Sequence, residues 1–131
     1  MGDVAEGAIL ALVPHRMKFY LEALEAAAPC SLKQVSSIEE FVHISGEQSY
    51  EVILIPARGF TSEQWWSLWG SVNSMEPHPS ILVYAIRSDF EMWSSVLEAG
   101  GYDVIVAPFT ETKLRFALQS AAQEFAHKMA D

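Results

Sequence analysis

The side chains of this 131-residue chain that could do chemistry are scattered rather than clustered. His15, His43, His78 and His127 lie on separate stretches and form no close metal-ligand or Ser-His-Asp pattern, so each is assigned a surface or half-buried structural role. Neither a metal site nor a catalytic residue is expected, and the chain is not read as an enzyme. Cys30 is the lone cysteine and has no partner for an internal disulfide or a thiolate metal set; it is expected to be a small buried residue. No glycine-rich phosphate cradle is present, and no cofactor is expected. The most informative stretch is Glu98-Ala99-Gly100-Gly101-Tyr102-Asp103-Val104-Ile105-Val106-Ala107-Pro108-Phe109. It reads as a helix ended by Gly100, where a left-handed backbone costs glycine little, then a short strand, then Pro-Phe and an amphipathic helix.

Composition narrows the partners. With 8 basic against 17 acidic residues and a formal charge of −9, the chain lacks the Lys/Arg-rich surface of a phosphate-backbone binder, and nucleic acid is not expected as a direct partner. Apolar runs such as Val52 to Ile55 and Ile81 to Ile86 fall far short of the roughly 20 residues needed to cross a bilayer, and Met1 to Gly7 carries Asp3 and Glu6 but no basic residue of a signal sequence. A cytoplasmic protein with no membrane contact is expected, with residues 1–7 as an N-terminal tail and 8–131 as one domain.

The elements that must position any site alternate along the chain. Ala8 to Val13 reads as a buried strand stopped by Pro14. Met17, Tyr20, Leu21, Leu24, Ala27 and Ala28 form an apolar stripe on a helix ending before Pro29. Cys30 to Val35 is a short strand, and Ser36 or Ser37 caps a helix carrying Ile38, Phe41 and Val42 and ended by Gly46. The run Glu51 to Ile55 reads as a central parallel strand covered on both faces. Ser62 to about Ser74 is a third helix, Ile81 to Ile86 a fourth strand, Asp89 to Ala99 a fourth helix, Asp103 to Val106 a fifth strand and Glu111 to Lys128 a fifth helix. Five strand-helix alternations with short connections predict an α/β fold, a doubly wound parallel sheet wrapped by helices on both faces.

This (βα)5 plan, with the Glu98-Ala99-Gly100, Asp103 and Pro108-Phe109 spacing, resembles the response-regulator receiver (CheY-like) family over essentially the whole chain. The resemblance implies a flavodoxin-like five-stranded receiver fold and a place in two-component, phosphorelay-type signal transduction. It also implies a site: an aspartate ending strand three accepts a phosphoryl group, and an acidic pair ending strand one holds Mg²⁺. A hydroxyl residue ending strand four and a lysine ending strand five contact the phosphoryl oxygens. Strand one here ends Leu12-Val13-Pro14-His15-Arg16, with Val13 and Pro14 in place of the acids. Pro56 stands at the acceptor position, and a shift of one leaves Ile55 or Ala57. Tyr84 replaces the usual Thr or Ser, and Ala107 replaces the lysine. The resemblance is therefore to a degenerate pseudo-receiver.

His15, Arg16 and Arg58 are placed near the carboxyl rim of the sheet, as solvated loop charges or, alternatively, as an anion site. Trp65 and Trp69 are expected to pack onto the sheet with Leu68 and Val72, while Trp66 points elsewhere and is expected to be core or half-buried, with an exposed interface anchor as the alternative. The family's aromatic switch position falls at about Ile105, with Tyr102 just before the strand. The face of the fourth helix, fifth strand and fifth helix, with Phe90, Trp93, Leu114, Arg115, Leu118 and Phe125, is the expected contact surface for a homodimer or another protein. The leading expectation is a phosphorylation-independent interaction module. The alternatives are a small-ligand or anion sensor using the vacated rim, and a true receiver with displaced chemistry through Asp89, Asp103 or Glu63.

Overall fold

The apolar runs around Ile9, Val52 and Ile81 become the three central strands of a five-stranded parallel sheet in the computed structural model, which describes residues 8–87 and 90–130. In chain order the elements are β1 (Ile9–Leu12), α1 (Leu24–Ala27), β2 (Leu32–Val35), α2 (Ile38–Ser45), β3 (Val52–Pro56), α3 (Ser62–Asn73), β4 (Ser80–Ala85), α4 (Phe90–Glu98), β5 (Asp103–Val106) and α5 (Glu111–Ala130). The strands lie in the order β2-β1-β3-β4-β5, all parallel. Every residue of β1, β3 and β4 is buried, as expected for strands covered on both faces. The N-terminal tail expected over residues 1–7, and the expected start of α4 at Asp89, lie outside the described residues.

Strand pleating sorts the core into two layers. On one face Ile9, Ala11, Leu54, Leu82 and Ile105 pack against Leu21 and Leu24 and against Leu114, Leu118 and Ala121 of α5. On the other, Leu10, Ile53, Ile55, Ile81 and Val83 pack against Phe41 of α2, Leu68, Trp69 and Val72 of α3, and Val96 of α4. Local signals set the helix ends. Ser37 is the α2 cap and accepts from the Glu40 N–H, and Thr61 and Gln64 form a reciprocal capping box at α3. Gly100 follows α4 with φ +105°, the left-handed conformation expected of it.

The first helix departs from expectation. In place of a regular helix over Met17 to Ala28, a 3₁₀ turn at His15–Met17 leads through irregular turns to the short α1. The buried residues Met17, Leu21, Leu24 and Ala27 are four, three and three apart, and this spacing is tighter than the α-helical repeat. The backbone follows it with i→i−3 bonds at Met17, Lys18 and Leu24 beside the i→i−4 bonds at Ala27 and Ala28. Tyr20, assigned to the apolar stripe, is exposed. Cys30 is half-buried rather than buried, and burial pushes its thiol pKa up, with Glu51 adding to the shift.

The contact face expected on α4, β5 and α5 is largely core. Leu114 and Leu118 are 0% exposed and Phe125 is buried, because the 3.6-residue period turns this stripe of α5 toward the sheet. Arg115 is half-buried, bonds Glu111 and donates to the Ala26 carbonyl at 2.9 Å, tying α5 to α1. The side chains of Phe90 and Trp93 lie outside the described residues. Truncating Leu118 to alanine should therefore lower the unfolding free energy by about 2–5 kcal/mol in a urea titration, with no change in molar mass by light scattering.

Candidate functional site

The carboxyl ends of β1, β3, β4 and β5 converge at one rim, where open α/β sheets place their ligands. At this rim β3 ends in Pro56. The β1–β3 register stops at Ala11 and Leu54, while the β3–β4 register runs on to Pro56 and Tyr84. The Ala57 N–H then donates to the Tyr84 carbonyl at 2.9 Å. Proline is tolerated there because its missing N–H falls beyond the last bonded residue toward β1.

Tyr84 fills the space beside Pro56. It is fully buried on the α1/α5 face, and its hydroxyl donates to the Leu12 carbonyl at 2.7 Å, reaching across β3 to β1. Its ring meets Phe109 edge-on, with centroids 5.7 Å apart and planes at 87°. Burial pushes the phenol pKa far above its ordinary value, a shift that Arg16 opposes. Val13 and Pro14, in the sequence positions where the resemblance expects acids, are buried, and Ala107 is half-buried after β5. Lys113, from the first turns of α5, donates to the Val106 carbonyl at 2.6 Å. Among the described residues no group of three or more His, Cys, Asp or Glu could hold a metal ion.

Outside the tyrosine lies a cleft of about 660 Å³ lined by Arg16, Met17, Pro56, Arg58, Gly59, Tyr84, Ala85, Ile86 and Arg87. The structure brings Arg16 and Arg58 together there: Arg16 Nη2 donates to the Arg58 carbonyl at 3.0 Å. His15 is exposed and does not line the cleft. Arg87 and Gly59 had no place in the sequence reading. A signal for Arg87 was available, since it follows the end of β4 by the same two residues that separate Arg58 from the end of β3.

The remaining candidates lie elsewhere. Asp103 opens β5 at the opposite, amino end of the sheet, with its side chain accepting from the Val104 N–H, and Glu63 is exposed on α3. Asp89 is outside the described residues. His43 pairs with Glu47 at 3.1 Å and His78 with Asn73 at 2.8 Å, and His127 is exposed. Trp69 packs onto the sheet and its Nε1 donates to the Ala99 carbonyl at 3.0 Å, while Trp65 is half-buried between Phe60 and Trp69. Trp66 is 63% exposed, so the core or half-buried placement expected for it does not hold. Ile105 is buried in register with Tyr84, and Tyr102 is partly exposed.

The order β2-β1-β3-β4-β5, with helices on both faces, is the CheY-like receiver fold. The signal receiver domain of a protein assigned as the Luxo repressor of Vibrio parahaemolyticus superposes with a TM-score of 0.77 at 9% identity, covering 94% of this chain and 95% of that one. A CheY-like response-regulator receiver domain from Methanospirillum hungatei JF-1 gives 0.74 at 13% identity, covering 92% and 97%. A response regulator from Thermotoga maritima gives 0.69 at 17% identity, covering 88% and 97%. No protein-family model matches the sequence, and no curated protein matches it.

Replacing Tyr84 by phenylalanine removes the donor to a buried carbonyl and should cost about 1–3 kcal/mol of stability. The raised phenol pKa also sets a pH dependence. The stability it contributes is fully present below the unfolded value of about 10 and is lost as pH rises toward the folded value. Stability of the native chain should therefore fall above about pH 10, and that alkaline slope should be shallower in Tyr84→Phe, with the remainder from Tyr50 and Cys30, whose pKa values burial also raises. Urea titrations across alkaline pH, run on both proteins, measure the difference.

Proposed function

We propose that this chain is an atypical receiver module of two-component, phosphorelay-type signal transduction that does not accept a phosphoryl group and acts by phosphorylation-independent protein contact. The observation that carries the reading is the Pro56–Tyr84 pair. Where the receiver fold would present a nucleophilic carboxylate ending β3, this chain has a proline side chain, and the neighbouring phenol is committed to the Leu12 carbonyl. Phosphoryl transfer needs a nucleophile, a divalent cation and a cation-stabilised phosphoryl oxygen at one place. The strand ends carry Val13, Pro14, Pro56 and Ala107 instead.

The partner is a different protein or a second copy of the chain. Among the described residues the largest apolar side chains left exposed include Phe19, Trp66 and Phe116, and aromatic residues of this kind often anchor interfaces. Among the same residues no helix is long and apolar enough to cross a membrane, and a cytoplasmic setting is proposed. One observation favours a second reading, in which the rim senses a small anion: Arg16, Arg58 and Arg87 line the cleft outside Pro56 and Tyr84.

Incubation with acetyl phosphate and Mg²⁺, followed by intact-mass spectrometry, tests the main reading. No covalent phosphoryl adduct is expected on the native chain, nor on Pro56→Asp, because the acidic pair and the lysine are absent as well. A Mg²⁺-dependent adduct on either protein would overturn the proposal. Light scattering over a concentration series then identifies the contact: a mass rising to twice 14.6 kDa makes it self-association, and a constant monomer directs the search to a different protein.

A further inference from the structure

We propose that the cleft outside Tyr84 is a reversible binding site for a small organic diphosphate of nucleotide size, with its phosphates held by Arg16, Arg58 and Arg87. The charge distribution is the first argument. The chain has 17 acidic and 8 basic residues, yet among the described residues the lining of this cleft includes three arginines and no carboxylate. Among the described residues none of these three arginines is paired with an acid; the ion pairs are His43–Glu47 and Glu111–Arg115. Guanidinium groups lining one cleft repel one another unless a counter-charge lies between them, and a bound anion would supply it. Arginine also suits phosphate in particular, since its planar fork donates two parallel hydrogen bonds.

Local backbone supports a built site. Gly59 has φ +105°, and a Cβ placed there would lie 1.3 Å from Arg16 Nη2. The left-handed backbone favours glycine at this position, and the missing Cβ leaves room for the Arg16 guanidinium. Arg16 is thereby laid against the β3–α3 loop and held by its bond to the Arg58 carbonyl, leaving most of its five N–H donors for a ligand. Among the described residues no acidic cluster could recruit a metal, so the arginines are the groups there that would meet phosphate charge.

Size and location argue for more than a free phosphate ion. The cleft volume of about 660 Å³ lies inside the roughly 300–1,000 Å³ of small-molecule sites. Met17, Pro56, Ala85 and Ile86 add an apolar wall suited to the organic body of a ligand. The sheet order changes direction between β1 and β3, so the cleft sits beside the topological switch point at the strands' carboxyl ends. This inference goes beyond the interaction reading and does not depend on it. Covalent acceptance is read as an adduct mass, whereas reversible occupancy is read as a saturable titration.

The test is an amide ¹H–¹⁵N titration of the intact chain with UDP, inorganic pyrophosphate and uridine. UDP should give saturable shifts centred on Ala57, Arg58 and Gly59, pyrophosphate weaker shifts at the same residues, and uridine none. Arg16→Gln and Arg58→Gln should each weaken UDP by about tenfold or more, while Lys33→Gln on β2, away from the cleft, should leave it unchanged. The dispersion of each variant's spectrum checks that it is folded. Absence of saturable shifts with both UDP and pyrophosphate in the millimolar range would overturn the proposal, as would shifts that persist in the arginine variants. Equal affinity for pyrophosphate and UDP would overturn the organic-body part. Saturation of these residues by a glutamate-rich peptide, with no response to either phosphate compound, would assign the cleft to an acidic protein segment instead.

Discussion

The hydrogen bond from Tyr84 to the Leu12 carbonyl ties together two strands that are not neighbours in the sheet. To make it, the phenol must cross the end of β3, and this is possible only if β3 ends in a side chain that leaves the space free and needs no polar partner. Pro56 meets both conditions. The core on the α1/α5 face then continues to the rim without a polar break, closed by the edge-on contact of Tyr84 with Phe109. Position 56 lies between the buried Tyr84 ring on one side and the arginine-lined cleft on the other. The tyrosine that stabilises the sheet end fills the space beside Pro56.

Polar chemistry is displaced outward by this packing rather than removed. The loops after β1, β3 and β4 carry Arg16, Arg58 and Arg87 just beyond the apolar plug, and Gly59 lets the first of them lie against the backbone. Lys113 reaches the end of β5 from α5 and satisfies the Val106 carbonyl. The rim is therefore basic in a protein that is acidic as a whole, and this contrast gives the local field a direction. On the opposite face α3 presents a different surface. Trp65 and Trp69 bind the helix to the sheet and to the end of α4, while Trp66 is left in solvent.

The strands were legible because β1, β3 and β4 are short, apolar and bounded by proline, acid or loop residues, so a chain with both strand faces buried announces itself in composition. The caps at Ser37 and Thr61 and the break at Gly100 are equally local, depending on groups within a few residues. The first helix was not legible. Its apolar spacing is compatible with a regular α-helix until the sheet and α5 select which residues are covered, and that selection leaves Tyr20 exposed. The same limit applied to α5. An amphipathic pattern states that one stripe is apolar, but whether Leu114 and Leu118 meet the protein's own sheet or another molecule depends on how the helix docks.

By itself the sequence determined the alternation of elements, because strand periodicity and Pro/Gly punctuation are properties of neighbouring residues, and the family resemblance then marked Val13, Pro14, Pro56, Tyr84 and Ala107 as the residues near the strand ends. The tertiary structure decided what those residues do together. Residues 12 and 84 meet only because the strand order puts β3 between β1 and β4, and Arg16, Arg58 and Arg87 share one cleft only because three loops return to the same end of the sheet. Contacts between residues so far apart in the chain are set by sheet order and helix docking, and these depend on how the whole core packs rather than on any local pattern.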